Sequence, residues 1–375
     1  MLVLRNLKIQ NSKLDYLCTS SIEYLNMLDF SQTAILKLAI TWSGNKDRNE
    51  GTVIPKRTLV TLSDYAHETL TTALIKPFEK SEEFFYFHHD EDLSHNPAFQ
   101  SCMQIFENPE TLSEQAATLT QRFYEFSSSP KIAGGEFFVA LFDAIMLQDE
   151  AVPAIGIFKI VHKDQYLRVE RSTEQFALNV GEGIGTGKLA LAALIFGVDE
   201  AEGYRILATD TITKKDEVSA WMLQFLGVKP IEDNYFNTRH YVSMAGGFIN
   251  DKAGIKFGLD KTDKIDLLNR SSAYFKDNDI FDVNDFANAI FPEAEHQEAF
   301  KTYRDEYVEE AAAPLVDQFD ISKQALRKSA KVFKSVIKLD TNFDIYVHGR
   351  RDLIERGFDE EKGKPFYKIY YDQEE

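Results

Sequence analysis

The central sheet of this protein is predicted from residues 134–147, which read GGEFFVALFDAIML. Further short apolar runs follow it and are separated by polar turns, at residues 154–161, 165–170, 189–196 and 204–209. The connections are too short to hold crossover helices, and this pattern indicates antiparallel strands that follow one another along the chain. We therefore expect an antiparallel β-meander over residues 130–212.

Helical patterns lie on both sides of this sheet. A short strand is expected at 2–10, and residues 14–128 are expected to be mainly helical, with helix start signals at Ser63-Asp64, Pro97 and Thr111–Glu114. After Asp216, helices are expected at 217–226, 237–249, 261–275, 283–289, 295–310 and 322–339. A hairpin that joins 343–348 to 367–371 is expected to close the chain.

These patterns predict an α+β fold. A central antiparallel β-meander is flanked by a helical N-terminal part and by a helical C-terminal region that ends in a β-hairpin. With roughly 100–200 residues per domain, a chain of 375 residues suggests two domains. We expect an α+β domain over residues 1–212 and a mainly helical domain over residues 213–375.

The composition excludes several classes of protein. The 29 Phe and 16 Tyr residues argue against a disordered chain, and two cysteines, Cys18 and Cys102, cannot support a disulfide scaffold. The sequence contains no uncharged apolar run of about 18 residues, and its start carries no signal-peptide pattern. We expect a soluble, cytoplasmic protein without a membrane span.

The charge is unevenly distributed. The chain has 42 Lys+Arg against 60 Asp+Glu, a net charge of −18, which argues against a protein that coats DNA with its whole surface. Residues 321–369, however, carry more cations than carboxylates. On a helical wheel at about 100° per residue, five cations of the predicted helix 322–339 fall within an arc of about 80°: Lys323, Arg327, Lys331, Lys334 and Lys338. With Arg350 and Arg351, these residues are the candidate contacts to nucleic-acid phosphates. The alternative is a solvated helix face, or one docked against the protein's own acidic surface.

Other motifs are weaker. The glycine-rich run Gly181–Lys188 resembles a phosphate loop, but Glu182 replaces a required glycine and Leu189 replaces the required Ser or Thr. We interpret it as a loop between strands, with no cofactor. The segment His88–Asp92, with His95 nearby, holds metal-capable side chains, and we interpret it as an exposed loop without a metal.

Catalytic residues are not expected. The sequence has no Gly-x-Ser-x-Gly elbow. Asp143, Lys159 and Glu170 fall in the predicted sheet, but their spacing matches no nuclease pattern. An undetected hydrolase stays an alternative, which clustered carboxylates and a metal in one cleft would reveal.

Several segments together resemble the bacterial nucleoid-associated protein family of the NdpA/YejK type. They include 135–139 (GEFFV), 154–159 (AIGIFK), 221–226 (WMLQFL), 333–340 (FKSVIKLD) and 345–349 (IYVHG). The resemblance implies a cytoplasmic protein found with the bacterial chromosome, associated with DNA, and without established catalytic residues. The glycine-rich run at 183–187 departs from the pattern expected of the family.

Two functions follow as hypotheses. The first is a non-enzymatic nucleoid-associated protein whose C-terminal basic helix contacts DNA phosphates without sequence preference. The second is a protein–protein interaction module that a DNA-handling partner, such as a topoisomerase, brings to the nucleoid. In the second case the acidic body of residues 1–320 is the working surface. The sequence leaves the oligomeric state open.

Overall fold

A computed structural model describes residues 28–81, 83–147, 150–161, 163–173, 175–185, 189–214, 219–311, 314–334, 336–347 and 353–373. The chain divides into two compact units, unit 1 (Met1–Pro230) and unit 2 (Ile231–Glu375). The sequence suggested a domain boundary at residues 212/213, and the boundary between the two units lies at residues 230/231. The segment between the two boundaries contains a π-helical turn, Trp221–Leu226, whose Trp221 and Phe225 belong to the core of unit 1.

Unit 1 is built around a nine-stranded antiparallel sheet. The strands of this unit are β1 (Leu28–Asp29), β2 (Ala34–Ser43), β3 (Thr52–Val53), β4 (Phe84–Phe87), β5 (Gly135–Leu147), β6 (Glu150–Lys159), β7 (Lys163–Arg171), β8 (Phe176–Ile184), β9 (Leu191–Phe196), β10 (Arg205–Asp210) and β11 (Val228–Pro230). The sheet order is β11-β4-β10-β9-β6-β5-β2-β3, and β1 pairs with β5. Strands β5, β6, β9 and β10 form the predicted meander, and the α+β fold class is confirmed. The predicted run 165–170 is a strand, β7, but its expected place in the central sheet is wrong, because it pairs only with β8.

Three helices of unit 1 begin where the sequence placed start signals. They are α1 (Asp64–Ile75), α2 (Pro97–Glu107) and α3 (Leu112–Phe126). The Ser63 side chain caps α1 and the Asn96 side chain caps α2, whereas the Thr111 side chain makes no cap hydrogen bond to α3. Helices α2 and α3 contribute Phe99, Leu119 and other buried residues to one apolar core with the sheet.

The expectation of a mainly helical segment at 14–128 is wrong for two longer stretches, and the two-residue strands β1 and β3 also lie in it. Residues 34–43 form strand β2, which pairs with β5 along most of its length, and residues 84–87 form β4. Short apolar runs do not distinguish a buried strand from a buried helix by periodicity alone, so the pairing with β5 decided the outcome. The predicted strand at 2–10 lies outside the described residues.

Strands β7 and β8 pair only with each other, outside the nine-stranded sheet. Gly181 and Gly183 of the glycine-rich run lie in β8, opposite Tyr166 and Asp164 of β7. The run therefore continues a strand as far as Ile184. A phosphate loop needs glycines that lead into a helix N-terminus, and these glycines do not.

Unit 2 is mainly helical. Its helices are α4 (Asn234–Gly247), which continues through a π-helical turn (Phe248–Ala253) into α5 (Gly254–Lys256), then α6 (Lys261–Asp277), α7 (Val283–Ile290), α8 (Ala294–Ala311) and α9 (Lys323–Ser329). Small two-stranded sheets join them: β12 (Ile280–Asp282) with β13 (Gln318–Asp320), β14 (Val336–Leu339) with β15 (Phe343–Tyr346), and β16 (Ile354–Asp359) with β17 (Lys364–Ile369). An aromatic-rich core around Phe275, Phe281 and Phe286 holds the helices together.

The predicted helix at 322–339 is wrong beyond its first turns. Helix α9 ends at Ser329, a 3-10 turn covers Ala330–Phe333, and Val336–Leu339 form strand β14. Val336 and Ile337 are β-branched, which favours a strand, and the fully buried Ile337 packs against Ile265. The predicted pairing of 343–348 with 367–371 is also wrong, because β15 pairs with β14 and the closing hairpin is β16–β17.

Across the described ranges, none of the helices combines the length and the apolar character that crossing a membrane requires.

Candidate nucleic-acid interface

The five cations predicted to share one helix face lie on four different pieces of backbone. Lys323 and Arg327 are on α9, and Lys331 is in the 3-10 turn. Lys334 follows that turn, and Lys338 is on β14. The helical wheel, which assumes a rotation of about 100° per residue, therefore does not describe the side-chain directions beyond Ser329. The side chain of Lys338, and Arg350 and Arg351 altogether, lie outside the described part of the chain.

Lys323 is engaged by the protein itself. Its Nζ donates hydrogen bonds to the backbone oxygen of Lys276 at 3.3 Å and to that of Asn278 at 3.1 Å. The same Nζ lies 3.2 Å from an Asp279 carboxylate oxygen. These contacts tie the start of α9 to the end of α6, so this lysine has a structural role in addition to its charge.

Arg327, Lys331 and Lys334 are exposed. The Nζ of Lys334 lies 5.0 Å from the centre of the Tyr346 ring, which is within the range of a cation–π contact. An exposed cation of this kind remains hydrated on one side and is available to an anion. Three of the five predicted residues thus present their charge at the surface of unit 2.

A cavity of about 260 Å³ adjoins Lys334 in unit 2. Three of its lining residues are lysines, Lys261, Lys264 and Lys334, and the remaining ones are Asn250, Ile265, Leu268 and Val336. Pockets for drug-sized ligands occupy roughly 300–1,000 Å³. The cavity lies just below that range, so its three lysines rather than its size point to an anionic ligand.

The amine of Lys264 is held in place. Its Nζ donates a hydrogen bond to the backbone oxygen of Asn250 at 2.6 Å, in the π-helical turn. The lysine passes over Gly254, where an added Cβ would lie 2.1 Å from Lys264 Cε and 2.3 Å from its Nζ. Gly254 thus makes room for this amine, which keeps two of its three donor hydrogens for other partners.

Acidic side chains occur next to the cavity, at the start of α6. Asp260 and Asp263 form a capping box, in which each carboxylate accepts a hydrogen bond from the other residue's backbone N–H. These carboxylates are committed to the helix terminus. The lysines that line the cavity carry ammonium groups, the donor type that binds phosphate as a point charge.

Lys261 and Lys264 were missed by the sequence analysis, although helix α6 itself was predicted. They lie about 70 residues before Lys334, and only the packing of β14 beside α6 brings the three together. The spacing of Lys261 and Lys264, three residues apart at a helix start, was the available signal. By itself it describes an ordinary solvated helix face.

The three residues considered for hydrolysis have different environments. Asp143 is exposed on β5, and Glu170 is exposed on β7 beside Arg168. Lys159 is fully buried, and its Nζ donates to the backbone oxygens of Ser43 at 2.8 Å and Gly135 at 2.7 Å. Lys159 is thus bound to backbone oxygens of the sheet, and β7–β8 is outside that sheet, so these residues do not support a nuclease centre.

The fold is that of a two-unit α+β protein in which unit 2 has a lysine-lined cavity, on a chain that is acidic as a whole. A family model described as nucleoid-associated protein YejK matches residues 44–374, most of the chain. The chain belongs to this family, and the resemblance found in the sequence is confirmed. Among curated proteins, none matches the chain.

Proposed function

We propose that this protein is a non-enzymatic nucleoid-associated protein that contacts DNA phosphates without sequence preference through the cations of unit 2. The observation that carries the proposal is the cavity in which Lys334 meets Lys261 and Lys264. Arg327 and Lys331 extend the cationic surface along the chain. Lys323, Lys338, Arg350 and Arg351 stay proposed contacts. The proposed location is the nucleoid in the cytoplasm.

The charge distribution supports a local contact. Residues 321–369 contain 12 Lys+Arg and 7 Asp+Glu, a net charge of +5, whereas residues 1–320 contain 30 and 50, a net charge of −20. DNA is repelled by acidic segments and attracted by basic ones, so binding through the segment that carries the excess of cations is favoured. Lysines recognise a phosphate as point charges and carry no information about base sequence.

The test is a salt titration of DNA binding by the full-length protein. Each lysine–phosphate pair that a substitution removes is expected to flatten the slope of log K against log salt concentration by about 0.9. The variant Lys261→Gln/Lys264→Gln/Lys334→Gln should therefore flatten the slope by about 2–3. Fluorescence anisotropy with a labelled duplex of random sequence, from about 50 to 200 mM salt, measures it.

The matched control removes the same charge elsewhere. Lys56, Lys76 and Lys229 are exposed residues of unit 1, and their replacement by Gln lowers the net charge of the chain equally. This control should keep the wild-type slope. Equal flattening in both triple variants would show a general charge effect, and an unchanged slope in the cavity variant would contradict the phosphate contact.

The second candidate function is the protein–protein interaction module, and the hairpin β7–β8 favours it. The antiparallel register of the hairpin pairs Leu167 with Val180 and Val169 with Leu178. These four apolar side chains therefore lie on one face of β7–β8. That face is open, with Leu167 67% exposed and Val180 66% exposed. An uncovered apolar face is typical of a surface that binds a protein partner. The proposed partner is a basic, DNA-handling protein such as a topoisomerase.

A pull-down with a purified topoisomerase in nuclease-treated buffer separates the two candidates. Association through a protein contact should survive loss of DNA and fall in Leu167→Thr/Leu178→Thr. The control Ala177→Ser/Asn179→Ser changes the opposite face of β8 and should bind as the wild type does. If purified protein binds DNA and captures no partner after nuclease treatment, the first candidate stands and the second is rejected.

A further inference from the structure

A histidine-rich loop of unit 1 gathers three metal-ligating side chains. It leaves the end of β4 and runs to α2 through a 3-10 turn, Leu93–His95. One ligand atom each from His89, Glu91 and His95 lies within 4.8 Å of the other two. The Nδ1 of His95 lies 3.1 Å from Glu91 Oε2, and the two imidazole rings meet edge to face at 5.3 Å.

These distances suit a shared cation. In tetrahedral zinc sites the ligand bonds are about 2.0–2.2 Å, so neighbouring ligand atoms lie about 3.3–3.5 Å apart. The 3.1 Å separation of His95 Nδ1 and Glu91 Oε2 is close to that value. His89 is half-buried while Glu91 and His95 are exposed, and its ligand atom lies within 4.8 Å of those of both other residues.

The backbone under this group is firmly held. The buried Asn96 side chain donates through Nδ2 to the backbone oxygens of His88, Leu226 and Gly227 at 2.9–3.0 Å, and its Oδ1 accepts from the first turn of α2. The backbone N–H of His88 also donates to Gly227 oxygen at 2.7 Å. Metal sites bind well when their ligands stand on a rigid base, because little order is lost on binding.

We propose that His89, Glu91 and His95 form a zinc-binding site with three protein ligands and water in the fourth position. Two imidazoles and one carboxylate are a donor set that Zn²⁺ accepts. The bound ion replaces the direct contact between His95 and Glu91 and joins the end of β4 to the approach to α2. This assigns a ligand role to the loop that the sequence analysis interpreted as free of metal.

The test is isothermal titration calorimetry of Zn²⁺ into the full-length, chelator-treated protein at one fixed pH of about 7.5, because metal affinity depends on pH. Wild type should bind one more equivalent of Zn²⁺ than His89→Ala/His95→Ala, and each single variant should weaken that equivalent about tenfold or more. His88→Ala is the matched control, because His88 neighbours the site but pairs with Asp90 at 3.3 Å. It should retain the wild-type affinity and stoichiometry.

A second readout is independent of stoichiometry. Zn²⁺ should raise the thermal midpoint of the wild type and of His88→Ala but not of the double variant, because a ligand bound only to the native state stabilises it. None of the three ligand side chains is fully buried, so these variants are expected to fold, and circular dichroism verifies it. Equal Zn²⁺ equivalents and equal midpoint shifts in wild type and double variant would overturn the proposal.

Discussion

Two consecutive hairpins of unit 1 have opposite surroundings. Strands β5 and β6 lie inside the nine-stranded sheet, and side chains such as Phe137 and Phe158 are fully buried. Strands β7 and β8 pair over nine residues each, but every residue of β7 is exposed. Both hairpins have extended antiparallel ladders, so backbone pairing alone does not decide which of them becomes core.

The difference is visible in the order of their residues. Strand β5 is an almost continuous apolar run, which is typical of a strand covered on both faces. Strand β7 alternates apolar and charged residues, as in Leu167, Arg168 and Val169, which is typical of a strand with one covered face. In the described structure neither face of β7–β8 is covered. The apolar face of this hairpin therefore lacks the covering that an alternating strand sequence is typical of.

The largest expected contrast comes from matched phenylalanines. Phe158 in β6 is fully buried against the rings of Phe78 and Phe142, and Phe176 in β8 is 71% exposed. We expect Phe158→Ala to lower the free energy of unfolding by about 3–5 kcal/mol and Phe176→Ala by at most about 0.5 kcal/mol. Urea unfolding followed by tryptophan fluorescence measures both, because Trp42 and Trp221 both belong to unit 1. Similar losses would mean that β7–β8 is covered in solution.

A smaller contrast is expected from matched glycines. A Cβ on Gly156 of β6 would lie 2.4 Å from Phe158 Cε2 and 2.6 Å from Phe142 Cε2, both in buried rings. A Cβ on Gly183 of β8 would meet only Tyr166, at 3.3 Å. Gly156→Ala should therefore destabilise unit 1 by about 1–3 kcal/mol through overpacking. Gly183→Ala should change the unfolding midpoint in urea very little, and a large loss there would contradict the open hairpin.

The smallest contrast is in how the free energy of unfolding depends on pH, and it compares Lys159 at the end of β6 with Lys163 at the start of β7. Burial lowers the pKa of Lys159 to about 7, and the nearby carboxylates of Glu136 and Glu50 oppose this shift only in part. A hydrogen bond to the Glu136 carboxylate instead raises the pKa of Lys163. Between about pH 7 and 10, the unfolded chain holds a proton on Lys159 that the native protein releases.

Stability therefore rises with pH over this range, because the unfolded state binds more protons. Relative to Lys159→Met, the wild type should gain about 1–2 kcal/mol between about pH 7 and pH 9. Lys163→Met should show no such trend, because the raised pKa of Lys163 keeps it protonated in both states up to about pH 9. Urea unfolding at three pH values across this range provides the comparison, and a flat difference for Lys159→Met would mean that the buried amine stays charged.

Much of the fold was accessible from sequence. The meander strands β5, β6, β9 and β10 and helices α6, α7 and α8 lie close to their predicted positions, because the runs that form them and the polar turns that bound them are local in sequence. Strand β2 and strand β14 were predicted as helix. The conformation of each is decided by the strand with which it pairs. Strand β2 pairs with β5, and β14 pairs with β15 in a hairpin that the sequence did not predict.

The candidate phosphate site was accessible only in part. Sequence selected Lys334 and the neighbouring Arg327 and Lys331 through their charge, but it assigned them to one helix. Lys261 and Lys264 carry no local signal that distinguishes them from solvated lysines, and the cavity they share with Lys334 exists because Ile265 and Ile337 pack together.

The sequence by itself determined the α+β class, the position of the buried meander, the acidity of the body and the excess of cations in residues 321–369, because composition and local periodicity are properties of neighbouring residues. Only the tertiary structure decided which strands pair, which lysines line one cavity and which histidines meet Glu91. Most of these depend on contacts between residues far apart in the chain. Such contacts form only where the apolar surface that they bury outweighs the conformational entropy lost in ordering the chain.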